Sequence, residues 1–154
     1  MSKPKAYIAS PMGFAESTRT WYDNTLLPTV SKYVEPLDPW TVDVTHILET
    51  DPTERPALWV ELGMQHYQTI QEEADLVIAV LDQEPPDTGT VAEIAYAAAH
   101  NIPVIGYRSD IRTTGEEGLP YNLMVGAAIK MSGGIAVASL VELENELKQR
   151  YPRS

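Results

Sequence analysis

Three carboxylates stand close together in the middle of the chain: Asp82, Asp87 and Glu93. Asp82 ends an apolar run, Asp87 sits in a loop with Pro85 and Pro86, and Glu93 lies about one turn into an Ala-rich helical segment. Carboxylates grouped in this way can supply a nucleophile, a general acid or base, or an anchor for hydroxyl groups. Their mutual repulsion would raise some of their pKa values. Each also has an ordinary reading. Thr90-Val-Ala-Glu93 fits a capping box, in which the glutamate bonds back to the cap amide. Asp87 suits a helix cap or turn, and Asp82 the end of a strand. What favours chemistry is that all three meet where a strand hands over to a helix, the usual ligand position of open α/β sheets.

The elements that must position these residues follow from periodicity. Ala6–Ser10 is a short apolar run ended by Pro11 and Gly13, a buried first strand and a loop. Phe14 to about Tyr33 carries Trp21, Leu26, Val30 and Tyr33 at helical spacing, and Pro28 should kink or end that helix. Val34–Leu37 reads as a second strand. Residues 38–56, with Pro39, Pro52 and Pro56, form a long loop of the kind that is functional or mobile. A helix from Pro56 to about Glu73 presents Leu58, Leu62, Tyr67 and Ile70. Asp75–Leu81 is the clearest strand, nearly all apolar as a strand covered on both faces should be. The Ala-rich helix runs to about Asn101. Pro103–Tyr107 is a strand, Pro120–Met131 a helix, Gly134–Val137 a strand, and Ser139–Arg150 a helix opened by a Ser139/Glu142 capping box.

This alternation predicts an α/β fold, a doubly wound five-stranded parallel sheet of flavodoxin-like order 2-1-3-4-5, with helices on both faces. Its switch point, between the first and third strands, would be walled by the loops after Ser10 and Asp82. Two independent arguments thus arrive at the same loops.

A length of 154 residues fits one domain over 1–154 with a sizeable core. The net charge of −11 would repel a polynucleotide, so no nucleic acid polymer is expected as partner, whereas a small nucleoside is compatible. Without cysteine there are no disulfides, thiolate metal sites or thiol nucleophiles. The lead-in MSKPKAYIAS lacks the apolar stretch of a signal peptide, and no run approaches the ~18 apolar residues of a membrane span. No membrane partner and a cytoplasmic location are expected. His46, His66 and His100 show no metal spacing and read as surface or core residues. Ser10-Pro-Met12-Gly13 lacks the glycine pattern of a phosphate loop, which argues against a dinucleotide cofactor. Tyr7 is either a core aromatic or a phenol bonded to a carboxylate in the crevice. For Asn122 the ordinary reading is a helix cap, and Ser132-Gly133-Gly134 reads as a turn.

YIASPMGF at 7–14, DTGTVAEIAYA at 87–97 preceded by Asp82, NLM at 122–124 and KMSGG at 130–134 together resemble the nucleoside 2-deoxyribosyltransferases, over essentially the whole chain. The resemblance implies transfer of 2-deoxyribose between nucleobases. It implies Glu93 as nucleophile, Asp82 handling the proton of the base, Asp87 holding the nucleoside and Tyr7 orienting the nucleophile. It also implies that Asn122 reaches the sugar bound by a neighbouring subunit, with Met124 lining that site, in a dimer-based homo-oligomer with shared active sites. Met12 and Trp40 are further candidates for substrate binding, and Asp38 joins Trp40 as a candidate for the base pocket. Partners would be deoxynucleosides and free nucleobases, with no metal and no organic cofactor. The residue types agree: a carboxylate can trap the cationic sugar as an ester, an acid can protonate the leaving base, and two inversions give retention.

The chain departs from the family in two places. Better-known members place a neighbour's C-terminal carboxylate in the site, whereas this chain ends in the basic stretch Arg150–Ser154. Residues 38–56 match no pattern that would fix the base preference. Two rival readings stand beside the transferase. One is a hydrolase of deoxynucleoside 5'-monophosphates, with Ser17, Thr18 and Arg19 as phosphate ligands. The other is a non-catalytic nucleotide-binding domain on the same fold.

Overall fold

Alternation along the first strand sets the layering of the whole molecule. The computed structural model describes residues 2–152; Arg153 and Ser154, the end of the basic tail, lie outside them. In chain order the elements are β1 (Lys5–Ala9), α1 (Glu16–Trp21), a π turn (Tyr22–Leu26), α2 (Leu27–Val30), β2 (Glu35–Leu37), a 3-10 turn (Pro39–Thr41), α3 (Thr45–Glu49), α4 (Arg55–Glu73), β3 (Leu76–Val80), α5 (Thr88–Ala99), β4 (Val104–Tyr107), α6 (Leu123–Met131), β5 (Ile135–Val137) and α7 (Leu140–Arg150). The sheet is parallel throughout, in the order β2-β1-β3-β4-β5. β1 is therefore flanked by β2 and β3, with Tyr7 opposite Leu37 on one side and Val77 on the other.

Successive side chains of a strand point to opposite faces. Ala6 and Ile8 face a layer containing Tyr22, Leu26 and Val30 from the first helical stretch and Leu143 and Leu147 of α7. Tyr7 and Ala9 face Ile70 of α4, Ile94 and Ala97 of α5, and Val125 and Ile129 of α6. β3 is buried at every position, as its unbroken apolar run requires. Burying a side chain such as Ile94 is worth about 1.5–3 kcal/mol, which fixes the rotation of α5 about its axis. Glu93, one residue earlier, is turned toward the mouth of the β1–β3 crevice.

Three local features correct or decide the sequence reading, each with a physical cause. The first helix does not stop at Pro28. A π turn just before it widens the spiral where proline lacks an N–H and would crowd the carbonyl four residues back. Residues 38–56 are not an open loop: Asp38 accepts from Trp40 N and opens a 3-10 turn, and α3 follows. α5 begins at Thr88, so its cap is Asp87, whose carboxylate accepts from Thr90 N at 2.8 Å. The Ser139 cap of α7 is as expected: its hydroxyl accepts from Glu142 N while Glu142 accepts from Ala138 N. Among the described residues no helix is long and apolar enough to cross a membrane.

Candidate active site

β1 delivers Tyr7 to the α4–α5 side of the sheet, and α5 brings Glu93 to meet it. The Tyr7 hydroxyl donates to Glu93 Oε1 at 2.7 Å. Tyr7 is otherwise buried, and burial together with the neighbouring carboxylate drives its phenol pKa far up, so its proton stays on the bond. Burial also raises the pKa of Glu93, to about 7; the Tyr7 bond works the other way, and the negative charge of Asp87 adds to the rise. Glu93 therefore has one donor and little water, and it is a carboxylate poised between its two protonation states near neutrality. It bonds to no cap amide, which removes the capping-box reading.

The pair stands in the wall of a cavity of about 430 Å³, a size suited to a small organic ligand. β1 and its following loop contribute Tyr7, Ser10 and Phe14. The 3-10 segment contributes Pro39, Trp40, Val42 and Val44, and α4 contributes Trp59, Leu62 and His66. The start of α5 contributes Asp87, Gly89, Thr90 and Glu93. The lining thus combines two carboxylates with apolar and aromatic side chains, complementary to a sugar bearing a flat heterocycle.

Trp40 is held in place from several sides. Its indole N–H donates to Ser10 O at 3.1 Å, and Phe14 meets its ring edge-on at 4.6 Å. Asp38 accepts from both Tyr22 Oη and Trp40 N, fixing the turn; Asp38 does not itself line the cavity. Gly13 permits the approach, since a Cβ there would lie 2.3 Å from the Trp40 ring. The segment that matched no sequence pattern therefore builds the aromatic wall.

The structure does not bring all the expected residues together. Asp82 turns away from the cavity and accepts from Ser109 N (2.6 Å), Ser109 Oγ (2.5 Å) and Asp110 N (2.9 Å). It ties the loop after β3 to the loop after β4. Arg108, buried beside it, donates to Leu81 O at 2.7 Å and pairs with Glu84 at 3.1 Å, clamping the same two loops. Met12 packs in the α1–α7 layer of the core and does not line the cavity, because the turn after Ser10 points its side chain inward. Asn122 caps α6, accepting from Met124 N at 2.9 Å, and Met124 is 67% exposed, so both stand outside this chain's own cavity.

The sequence reading did not offer the α4 part of the wall as a site. Trp59 and His66, with Leu62, lie at i, i+3 and i+7 and so share one face of α4. That spacing was available, but the more apolar set Leu58, Leu62, Tyr67 and Ile70 masked it. Burial holds the His66 imidazole below its ordinary pKa, and its ring meets Tyr7 edge-on at 6.3 Å.

The family model described as nucleoside 2-deoxyribosyltransferase matches residues 6–124. A conserved protein from Enterococcus faecalis V583 is 23% identical, with TM-score 0.71, over 97% of this chain and 99% of that one. The 2-deoxyribosyltransferase of Bacillus psychrosaccharolyticus is 17% identical, with TM-score 0.64, over 92% and 90% of the two chains. A CMP N-glycosidase of Clostridium botulinum is 19% identical, with TM-score 0.57, over 95% and 98%. At these identities the three share the fold with this chain. No curated protein matches the chain in sequence.

Proposed function

The chain belongs to the nucleoside 2-deoxyribosyltransferase family, and from that premise we propose that it exchanges the nucleobase of 2'-deoxyribonucleosides by double displacement through a deoxyribosyl ester of Glu93. The observation that carries the reading is the Tyr7–Glu93 bond in the wall of a cavity also lined by Phe14, Trp40 and Trp59. In its ionised form Glu93 attacks the anomeric carbon as the C–N bond breaks, the bonding pair leaving with the base. Tyr7 fixes the direction of the attacking oxygen. Asp87, already held by Thr90 N, is placed to accept from a sugar hydroxyl. Trp40 and Phe14 offer ring faces and edges to the base. A second base attacks the ester from the vacated side, and two inversions give retention. No step in this scheme calls on a metal or organic cofactor.

Charge favours an unphosphorylated substrate. Among the described residues no lysine or arginine lines the cavity, while Asp87 and Glu93 do, so a phosphate dianion would meet repulsion. Two of the three groups that could hold a phosphate, Thr18 and Arg19, are engaged elsewhere. The Thr18 hydroxyl donates to Met12 O at 2.6 Å, and Arg19 donates through Nε to Gly13 O at 3.1 Å. The same reading includes a homo-oligomer in which exposed Asn122 and Met124 complete a neighbour's site, and a cytoplasmic location where free nucleosides and bases meet.

The test is chromatography of purified protein with thymidine, with and without adenine. Deoxyadenosine formed only when adenine is present supports transfer. Equal thymine release without adenine would instead make the chain a hydrolase. A dependence on 5'-monophosphates would overturn the charge argument.

A further inference from the structure

Breaking an N-glycosidic bond leaves a base that needs a proton, and Asp82, turned into the loop junction, does not reach the cavity. Four titratable side chains line the cavity: Tyr7, His66, Asp87 and Glu93. The Tyr7 hydroxyl is engaged in donating to Glu93, and Glu93 is committed to the sugar. Asp87 carries the cap of α5 and stands about one and a half turns from Glu93, with one carboxylate oxygen already accepting from Thr90 N. His66 comes from a different element, α4, and shares its face with Trp59 and Leu62 of the apolar wall. Among the described residues its two ring nitrogens have no hydrogen-bond partner; its recorded contact is the edge of the Tyr7 ring.

From this geometry, and resting on the transferase reading, we propose that His66 is the group that gives the departing base its proton and takes the proton of the incoming one. In the first half, the C–N bond breaks and its electron pair moves onto the base. The proton of the His66 imidazolium follows it, and Glu93 is esterified. In the second half, the lone pair of the incoming base attacks the anomeric carbon and the ester C–O bond breaks, its pair returning to Glu93. The N–H proton of that base then passes to His66. The imidazolium is restored, and no proton is gained or lost over the cycle. Poor solvation makes an imidazolium a stronger acid than it is in water, which suits it to this transfer.

The experiment compares His66→Gln with the unaltered protein on two donors. One is thymidine; the other is a 2'-deoxyriboside of a nitroazole, whose anion leaves without a proton. The expected result is a loss of about 10²–10⁴-fold in kcat with thymidine and less than about tenfold with the nitroazole. The ratio is taken within one preparation, so partial unfolding cancels. An equal loss on both donors would overturn the assignment and leave His66 a packing residue. The selective loss appearing in Asp82→Asn, with His66→Gln unaffected, would return the role to Asp82. If the unaltered protein releases no base from either donor, the transferase reading falls and this assignment with it.

Discussion

Asp82 and Glu93 flank one loop, yet their surroundings differ in kind. Asp82 accepts from two backbone amides and a hydroxyl, so its oxygens are spent on holding two loops together. Glu93 accepts from one phenol, sits in a poorly solvated wall and faces the charge of Asp87. On the proposed function the donors set the two apart: a carboxylate with a full set of partners serves as an anchor, and one with a single partner keeps an oxygen free to attack. Spacing in sequence made the two look alike.

The contrast can be broken most forcefully at Glu93. Glu93→Ala is expected to lower turnover by about 10⁴-fold or more while the protein stays folded, as removal of a nucleophile does; circular dichroism alongside the chromatographic assay checks both halves. Tyr7→Phe removes the single donor. It is expected to cost about 10²-fold in kcat/KM. With the nitroazole 2'-deoxyriboside, whose base leaves without a proton, kcat/KM of the unaltered protein should rise with pH and level off above about 7, as Glu93 ionises. Losing the Tyr7 bond should move that midpoint upward, and a pH series on both proteins checks it.

Stability sharpens the same comparison with opposite signs. Folding raises the pKa of Glu93 from 4.5 to about 7, so its contribution is fully present below 4.5 and is lost as pH rises through 7. Glu93→Gln removes that loss and is expected to be more stable than the unaltered protein at pH 8, by roughly 2 kcal/mol. Asp82→Ala leaves two amides unpaired and is expected to be less stable by about 1–2 kcal/mol. Urea denaturation of both variants at pH 8 compares them directly. The smallest effect concerns the wall: Gly13→Ala would press on the Trp40 ring and is expected to raise KM by roughly tenfold.

The sheet was legible because its strands are short apolar runs between helices, and order 2-1-3-4-5 follows from handedness once alternation is seen. The Tyr7–Glu93 pair was legible through the motifs that carry the family resemblance. Other parts were not. Whether Asp82 faces the crevice or the next loop depends on Ser109 and Asp110, distant in sequence and free of any pattern. Trp40 is placed by Gly13, Ser10 and Asp38 through tertiary contact, which no periodicity of residues 38–56 encodes. His66 was hidden because its helix buries only Ile70 fully, and the face it shares with Trp59 is lined by a cavity, not by core. Met12 shows the converse: a motif residue that the sequence offers as a ligand contact packs in the core of this chain.

The most direct test of the Glu93 assignment is rapid quenching of the protein with a deoxynucleoside and no acceptor base, followed by mass spectrometry of its peptides. The expected result is one added deoxyribosyl group on the peptide spanning α5, located at Glu93 and lost when adenine is supplied. Base released with no adduct, or an adduct on any other residue, would contradict the account.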